Sequence, residues 1–163
     1  MKIIALIPSR FDSTRLPGKP LLLINNRSII CHTYNQVVKS KYINETIVVT
    51  DDNNIENLIK KINGRVIRIN EKCINGTERI SKAILKENLQ ADLIINIQGD
   101  EPFIDPRNID FMIEKFKHIK KTKPNMMCVT LHNKADLLDH SVGKLITDIN
   151  GKVLYCSRNL IPV

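Results

Sequence analysis

Five short runs rich in β-branched residues, at 3–7, 46–50, 65–69, 93–98 and 127–131, recur along this chain, with helical patterns in several of the intervals between them. Strand-period runs alternating with helix-period runs predict an α/β fold with a mostly parallel sheet, because parallel neighbours are joined by crossovers that are usually helical. The clearest helix covers residues 53–63, where Ile55, Leu58, Ile59 and Ile62 form one apolar stripe and Gly64 supplies the stop. A second opens with Asp105 as its N-cap and Pro106 at its first position, and carries Ile109, Met112, Ile113 and Phe116 on one face. Weaker helical patterns cover 28–40 and 78–89. Near the end, Asn150-Gly151 between alternating runs at 144–149 and 152–156 predicts a hairpin with a type I′ turn.

A chain of 163 residues, 42% of them hydrophobic, suffices for one domain with its own core, and no linker or repeat interrupts residues 1–163. Cys31, Cys73, Cys128 and Cys156 are far apart and form no C-x-x-C pair, so they read as reduced, mostly buried thiols. The apolar run at 3–7 is too short for a signal-peptide core, and no stretch approaches the roughly 18 apolar residues of a membrane span, which predicts a soluble cytoplasmic protein. The net charge of +8 invites a polyanionic partner. Against nucleic acid, the lysines are spread among Ile and Asn, aromatics make up 4% and Trp is absent, so platforms for base stacking are scarce. His32, His118, His132 and His140 show no metal-ligand spacing and receive no role.

In open parallel sheets ligands bind beyond the carboxyl ends of the strands, so residues that follow strands are the informative ones. After the first run, Arg10, Arg15 and Lys19 place three cations within ten residues on a loop that also contains Gly, Pro, Ser and Thr. Such a loop can neutralise a triphosphate and follow charge onto a leaving pyrophosphate; it also reads as a solvated basic turn. Neither a P-loop nor a G-x-G-x-x-G fingerprint occurs. After the 93–98 run, Gln98-Gly99-Asp100-Glu101-Pro102 offers carboxylates. Magnesium is commonly held by one or two carboxylates plus substrate phosphates, so Asp100 suffices as a first ligand, the alternative being an ordinary Gly-Asp turn. Asn75-Gly76-Thr77-Glu78-Arg79 reads as a helix start with Thr77 as N-cap. Thr50-Asp51-Asp52 and Tyr155-Cys156-Ser157-Arg158 also follow predicted strands, and both read equally as structural.

Taken in order, Ile-Pro-Ser-Arg-Phe-Asp-Ser-Thr-Arg-Leu-Pro-Gly-Lys-Pro-Leu at 7–21, Thr-Asp at 50–51, Gly-Thr-Glu-Arg at 76–79, Gln-Gly-Asp-Glu-Pro at 98–102 and Ser-Arg-x-x-Ile-Pro at 157–162 resemble the 3-deoxy-manno-octulosonate (KDO) cytidylyltransferases. The resemblance implies the Rossmann-like fold of nucleotide-diphospho-sugar transferases. It also implies transfer of CMP from CTP to the anomeric hydroxyl of KDO, with Mg2+ as cofactor, in lipopolysaccharide synthesis. By that similarity Arg10, Arg15 and Lys19 hold the CTP phosphates, and Asp100 carries Mg2+. Asn75, Gly76, Thr77, Arg79 and Gln98 border the cytosine and ribose, and Ser157 and Arg158 lie toward the sugar acid. Two departures stand out: Asn75 where the family commonly has Ser, and His140-Ser141-Val142-Gly143-Lys144 in place of an Asn-Pro-containing run. Family members continue for about half this length again, with a region that supplies a second metal-binding Asp and most of a dimer interface. Three rival readings are a CTP-binding remnant without chemistry, a transferase for an 8-amino KDO analogue, and a basic RNA-binding protein.

Overall fold

The computed structural model describes residues 1–11, 16–118 and 133–161, the side chain of Lys134 aside. The chain divides into two compact units, Met1–Thr122 and Lys123–Val163.

In the first unit β1 (Ile3–Ser9) leads through a 3-10 turn at Lys19–Leu21 to a small hairpin, β2 (Leu23–Ile24) and β3 (Arg27–Ser28). There follow α1 (Ile29–Val37), β4 (Glu45–Thr50), α2 (Asn53–Lys61), β5 (Arg65–Arg68), α3 (Gly76–Lys86), β6 (Leu93–Asn96) and α4 (Pro106–Lys117). The main sheet has the order β5-β4-β1-β6, and every pairing in it is parallel. This is the expected α/β architecture. The chain builds outward from β1 on one side, then returns to lay β6 on the other. A topological switch point therefore lies between β1 and β6, where such sheets form ligand crevices.

Alternation along β1 explains the layering. Ile3, Ala5 and Ile7 face one core with Ile30 of α1, Ile59 of α2 and Ile113 of α4. Ile4 and Leu6 face another core, with Ile80 and Ala83 of α3. A strand covered on both faces is apolar along nearly its whole length: Ile3 to Pro8 are apolar, and all seven residues of β1, Ser9 included, are buried.

Several local expectations change in detail. Asp52 caps α2, its Oδ1 accepting the Ile55 N–H at 2.9 Å. The left-handed residue after α2 is Asn63 (φ 58°), not Gly64. Gly64 is required for space, because a Cβ there would lie 2.5 Å from Ile59 Cγ2. Asp105 caps α4 as expected, accepting the Arg107 N–H at 2.8 Å. Between β2 and β3 both turn residues, Asn25 (φ 47°) and Asn26 (φ 61°), have positive φ, which defines a type I′ hairpin that the sequence reading missed. The predicted strand at 127–131 and Cys128 lie outside the described residues. Cys31 and Cys73 are buried and Cys156 is exposed.

The second unit contains α5 (Lys134–Leu138) and the antiparallel pair β7 (Lys144–Thr147) and β8 (Val153–Ser157). Its turn is not type I′, since Gly151 alone has positive φ (79°). The Asp148 carbonyl accepts the Gly151 N–H, and Asp148 Oδ1 accepts the N–H groups of Asn150 and Lys152. These bonds build a longer loop with glycine in the left-handed position, the second common hairpin solution. Among the described residues no helix is long and apolar enough to cross a membrane.

Candidate functional site

The ends of β1 and β6 come together closely. An added Cβ on Gly99 would lie 3.0 Å from the Pro8 carbonyl oxygen and 3.3 Å from Ser9 Cβ, so glycine lets the two loops meet without either having to give. Gly76 repeats the device at the head of α3, where a Cβ would stand 2.9 Å from Pro8 Cγ. These close approaches leave a cleft of about 320 Å³ over the switch point. Arg10, Lys19, Asn75, Gly76, Arg79, Gln98 and Asp100 all line it, together with Pro8, Ser9, Pro20, Cys73, Ile74 and Gly99.

Of the three basic residues in the lining, Arg10 and Lys19 come from the chain that follows β1. Arg10 follows β1 directly and is exposed. Lys19 is delivered by the turn that Gly18 starts in the left-handed region (φ 69°). Lys19 Nζ donates to Asp100 Oδ2 at 2.6 Å, so the predicted phosphate cation and the predicted metal carboxylate are ion-paired. Arg15 lies outside the described residues.

The wall opposite is the head of α3. Asn75, not Thr77, is the N-cap: its Oδ1 accepts the Glu78 N–H at 2.9 Å, and Glu78 Oε2 accepts the Ile74 N–H at 2.6 Å. The pair resembles a capping box displaced by one residue. The Ile74 bond, aided by Lys82, holds the Glu78 carboxyl below the usual glutamate range. Thr77 is exposed and does not line the cleft. Arg79 is 3% exposed, and its guanidinium is engaged by Asp51 Oδ2 at 2.6 Å and the Ile69 carbonyl at 3.0 Å. The Asp51 partnership carried no sequence signal, because 28 residues separate the two. Nor did the place of Cys73 in the lining.

Among the described residues no three His, Cys, Asp or Glu side chains are grouped to hold a metal ion. A single exposed carboxylate beside cations is nonetheless the donor set Mg2+ uses when phosphates complete its shell, so Asp100 fits that ion.

Ser157 and Arg158 belong to the second unit. Arg158 Nη1 donates to the carbonyls of Ser141 (2.6 Å) and His140 (3.3 Å), and Ser157 Oγ accepts the Asn159 N–H at 2.9 Å. Lys144 is 4% exposed, with its ammonium on the carbonyls of Asp139 and Arg158. The 140–144 segment, where the sequence departs from the resembled pattern, is thus anchored by Arg158.

A parallel α/β sheet with a cation-lined crevice at its switch point defines a class that binds small anionic ligands. Similarity to known proteins narrows that class. The cytidylyltransferase family profile matches residues 4–163. The 3-deoxy-manno-octulosonate cytidylyltransferase of Trichlorobacter lovleyi is 38% identical over 99% of this chain and 64% of its own length. The 8-amino-3,8-dideoxy-manno-octulosonate cytidylyltransferase of Shewanella baltica is 37% identical over 99% of this chain and 67% of its own. The structure of a CMP:2-keto-3-deoxy-manno-octonic acid synthetase complexed with CTP superposes with a TM-score of 0.86 at 30% identity, covering 100% of this chain and 66% of that one. The chain belongs to the cytidylyltransferase family, and it spans about two thirds of the length of the relatives it matches.

Proposed function

We propose that the cleft binds CTP with Mg2+ and serves transfer of CMP to the anomeric hydroxyl of KDO, giving CMP-KDO and pyrophosphate for lipopolysaccharide synthesis. The observation that carries this reading is the convergence of Arg10, Lys19 and Asp100 on one cleft at the β1/β6 switch point. Small-molecule substrates rather than nucleic acid, and a cytoplasmic setting, complete the proposal.

The chemistry asks for alignment and charge neutralisation rather than a covalent group. The sugar hydroxyl oxygen forms a bond to the α-phosphorus, the bond from that phosphorus to the bridging oxygen breaks, and pyrophosphate leaves with the electron pair while the hydroxyl proton is released. Lys19 and Arg10 hold the phosphates and stabilise charge building on the leaving group. Asp100 would hold Mg2+, which when bound would supply charge neutralisation at the phosphate oxygens. Asn75, Gly76 and Gln98 border the base and ribose.

A second acceptor stands beside KDO, because the relative named for the 8-amino sugar is 37% identical and the one named for KDO 38%, too near to separate them. The test is a calorimetric CTP titration with and without Mg2+, followed by pyrophosphate release with each sugar acid. Mg2+-dependent CTP binding with release supports the transferase, and the preferred sugar names the acceptor. Binding without release indicates a nucleotide-binding remnant. Absence of CTP binding sinks the site, and salt-sensitive binding of long RNA that CTP does not displace would favour the RNA-binding reading instead.

A further inference from the structure

Asp51 follows β4, and its neighbours already hold the backbone there. Thr50 is fully buried and its hydroxyl accepts the Asp52 N–H at 3.1 Å, while Asp52 caps α2. The Asp51 carboxylate serves a distant partner instead. Its Oδ2 accepts Arg79 Nη2 at 2.6 Å, Arg79 Nη1 donates to the Ile69 carbonyl at 3.0 Å, and the Ile69 N–H donates to the Thr50 carbonyl at 2.9 Å. Thr50, Asp51, Arg79 and Ile69 thus form a closed circuit joining the ends of β4 and β5 to α3.

That circuit touches the cleft. Arg79 lines it, and the Arg79 N–H bonds the carbonyl of Asn75, which lines it one helical turn earlier. Thr50 stands level with Ser9 in the sheet register, and Ser9 also lines the cleft. Asp51 Oδ1 is buried without a hydrogen-bond partner among the described residues, so the carboxylate answers to Arg79 alone. The pair is part-buried, Arg79 being 4% and Asp51 32% exposed, and an ion pair withdrawn even partly from water is often no more stabilising than a well-packed apolar pair of the same volume. What the guanidinium fork adds is direction, since its donors fix an angle that apolar contact leaves loose.

We propose that Asp51 is a positioning residue for the nucleotide cleft. Acting through Arg79, it sets the first turn of α3 and with it the Asn75–Gly76 wall. The proposal rests on the reading of this cleft as the CTP site.

The test measures CTP affinity by calorimetry with Mg2+ present, at a temperature where circular dichroism shows each protein folded. Asp51→Asn keeps the shape and removes the charge, and should weaken CTP binding roughly ten- to a hundredfold, the range for supporting residues behind a site. The double variant Asp51→Asn with Arg79→Gln should lose no more than Asp51→Asn alone. Should Asp51→Asn not fold, Arg79→Lys keeps a cation beside Asp51 but cannot span both acceptors, and it should show a smaller loss of the same kind. A lowered melting temperature with unchanged CTP affinity would make the circuit structural only and overturn the proposal, as would additive losses in the double variant. If the unaltered chain fails to bind CTP, the underlying reading falls and takes the proposal with it, an outcome distinct from either of these.

Discussion

Lys19 Nζ sits 2.6 Å from Asp100 Oδ2, joining two residues 81 apart in the chain and on opposite sides of the β1/β6 switch point. Both side chains are more than a third exposed (38% and 46%), so the pair contributes only about 0–1 kcal/mol. A pair that weak yields readily when phosphate offers itself to the lysine and a divalent ion to the carboxylate. Asp100→Asn should therefore bind pyrophosphate in the absence of metal at least as tightly as the unaltered protein, because Lys19 no longer has a competing anion. It should also lose the Mg2+-dependent gain in CTP affinity. Calorimetry checks both, and weaker metal-free pyrophosphate binding in the variant would count against this exchange.

The cap on α3 gives a stability prediction. Asn75→Ala removes the acceptor of the Glu78 N–H and should cost about 1 kcal/mol, whereas Asn75→Ser should recover most of it, because serine is an equally good cap. Urea midpoints measure the difference. Thr77→Ala, on a residue that does not cap, should change little; a larger loss there than at Asn75 would contradict the assignment.

Glycine space gives a third. Gly99→Ala sets a Cβ 3.0 Å from a backbone oxygen at the cleft and should destabilise by about 1–3 kcal/mol, with a parallel drop in CTP affinity. Gly143→Ala meets nothing within 4 Å and should stay within about 0.5 kcal/mol. Denaturant unfolding of both variants separates tight packing from a general intolerance of alanine.

Glu56 on α2 gives a pH dependence. Lys60 and then Arg68 hold its carboxyl below the ordinary value of 4.5. A carboxylate depressed on folding adds stability that is present above the unfolded value and lost as pH falls through the lower folded one. Unfolding measured from pH 6 downward should show this loss begin at about 4.5, and Glu56→Gln should flatten that part of the curve. An unchanged slope in the variant would remove Glu56 from the account.

What was legible in the sequence was local or ordered along the chain. Periodicity at Ile55, Leu58 and Ile59 marked α2, Asp105-Pro106 marked the start of α4, and the placing of cations and carboxylates after strands marked the cleft, because backbone preference and amphipathic burial act within a few residues. Where neighbouring residues were chemically equivalent, the fold chose. Asn75 caps α3 rather than Thr77, where Gly76 alone can approach Pro8; a different hairpin takes the type I′ turn, at Asn25-Asn26, while Asp148 gathers the 148–152 loop into another form. The Lys19–Asp100 and Asp51–Arg79 pairs had no local signature at all. They exist because parallel pairing lays β6 and β4 on either side of β1, and strand order is decided by which apolar faces bury one another, a property of the whole packed chain rather than of any stretch of it.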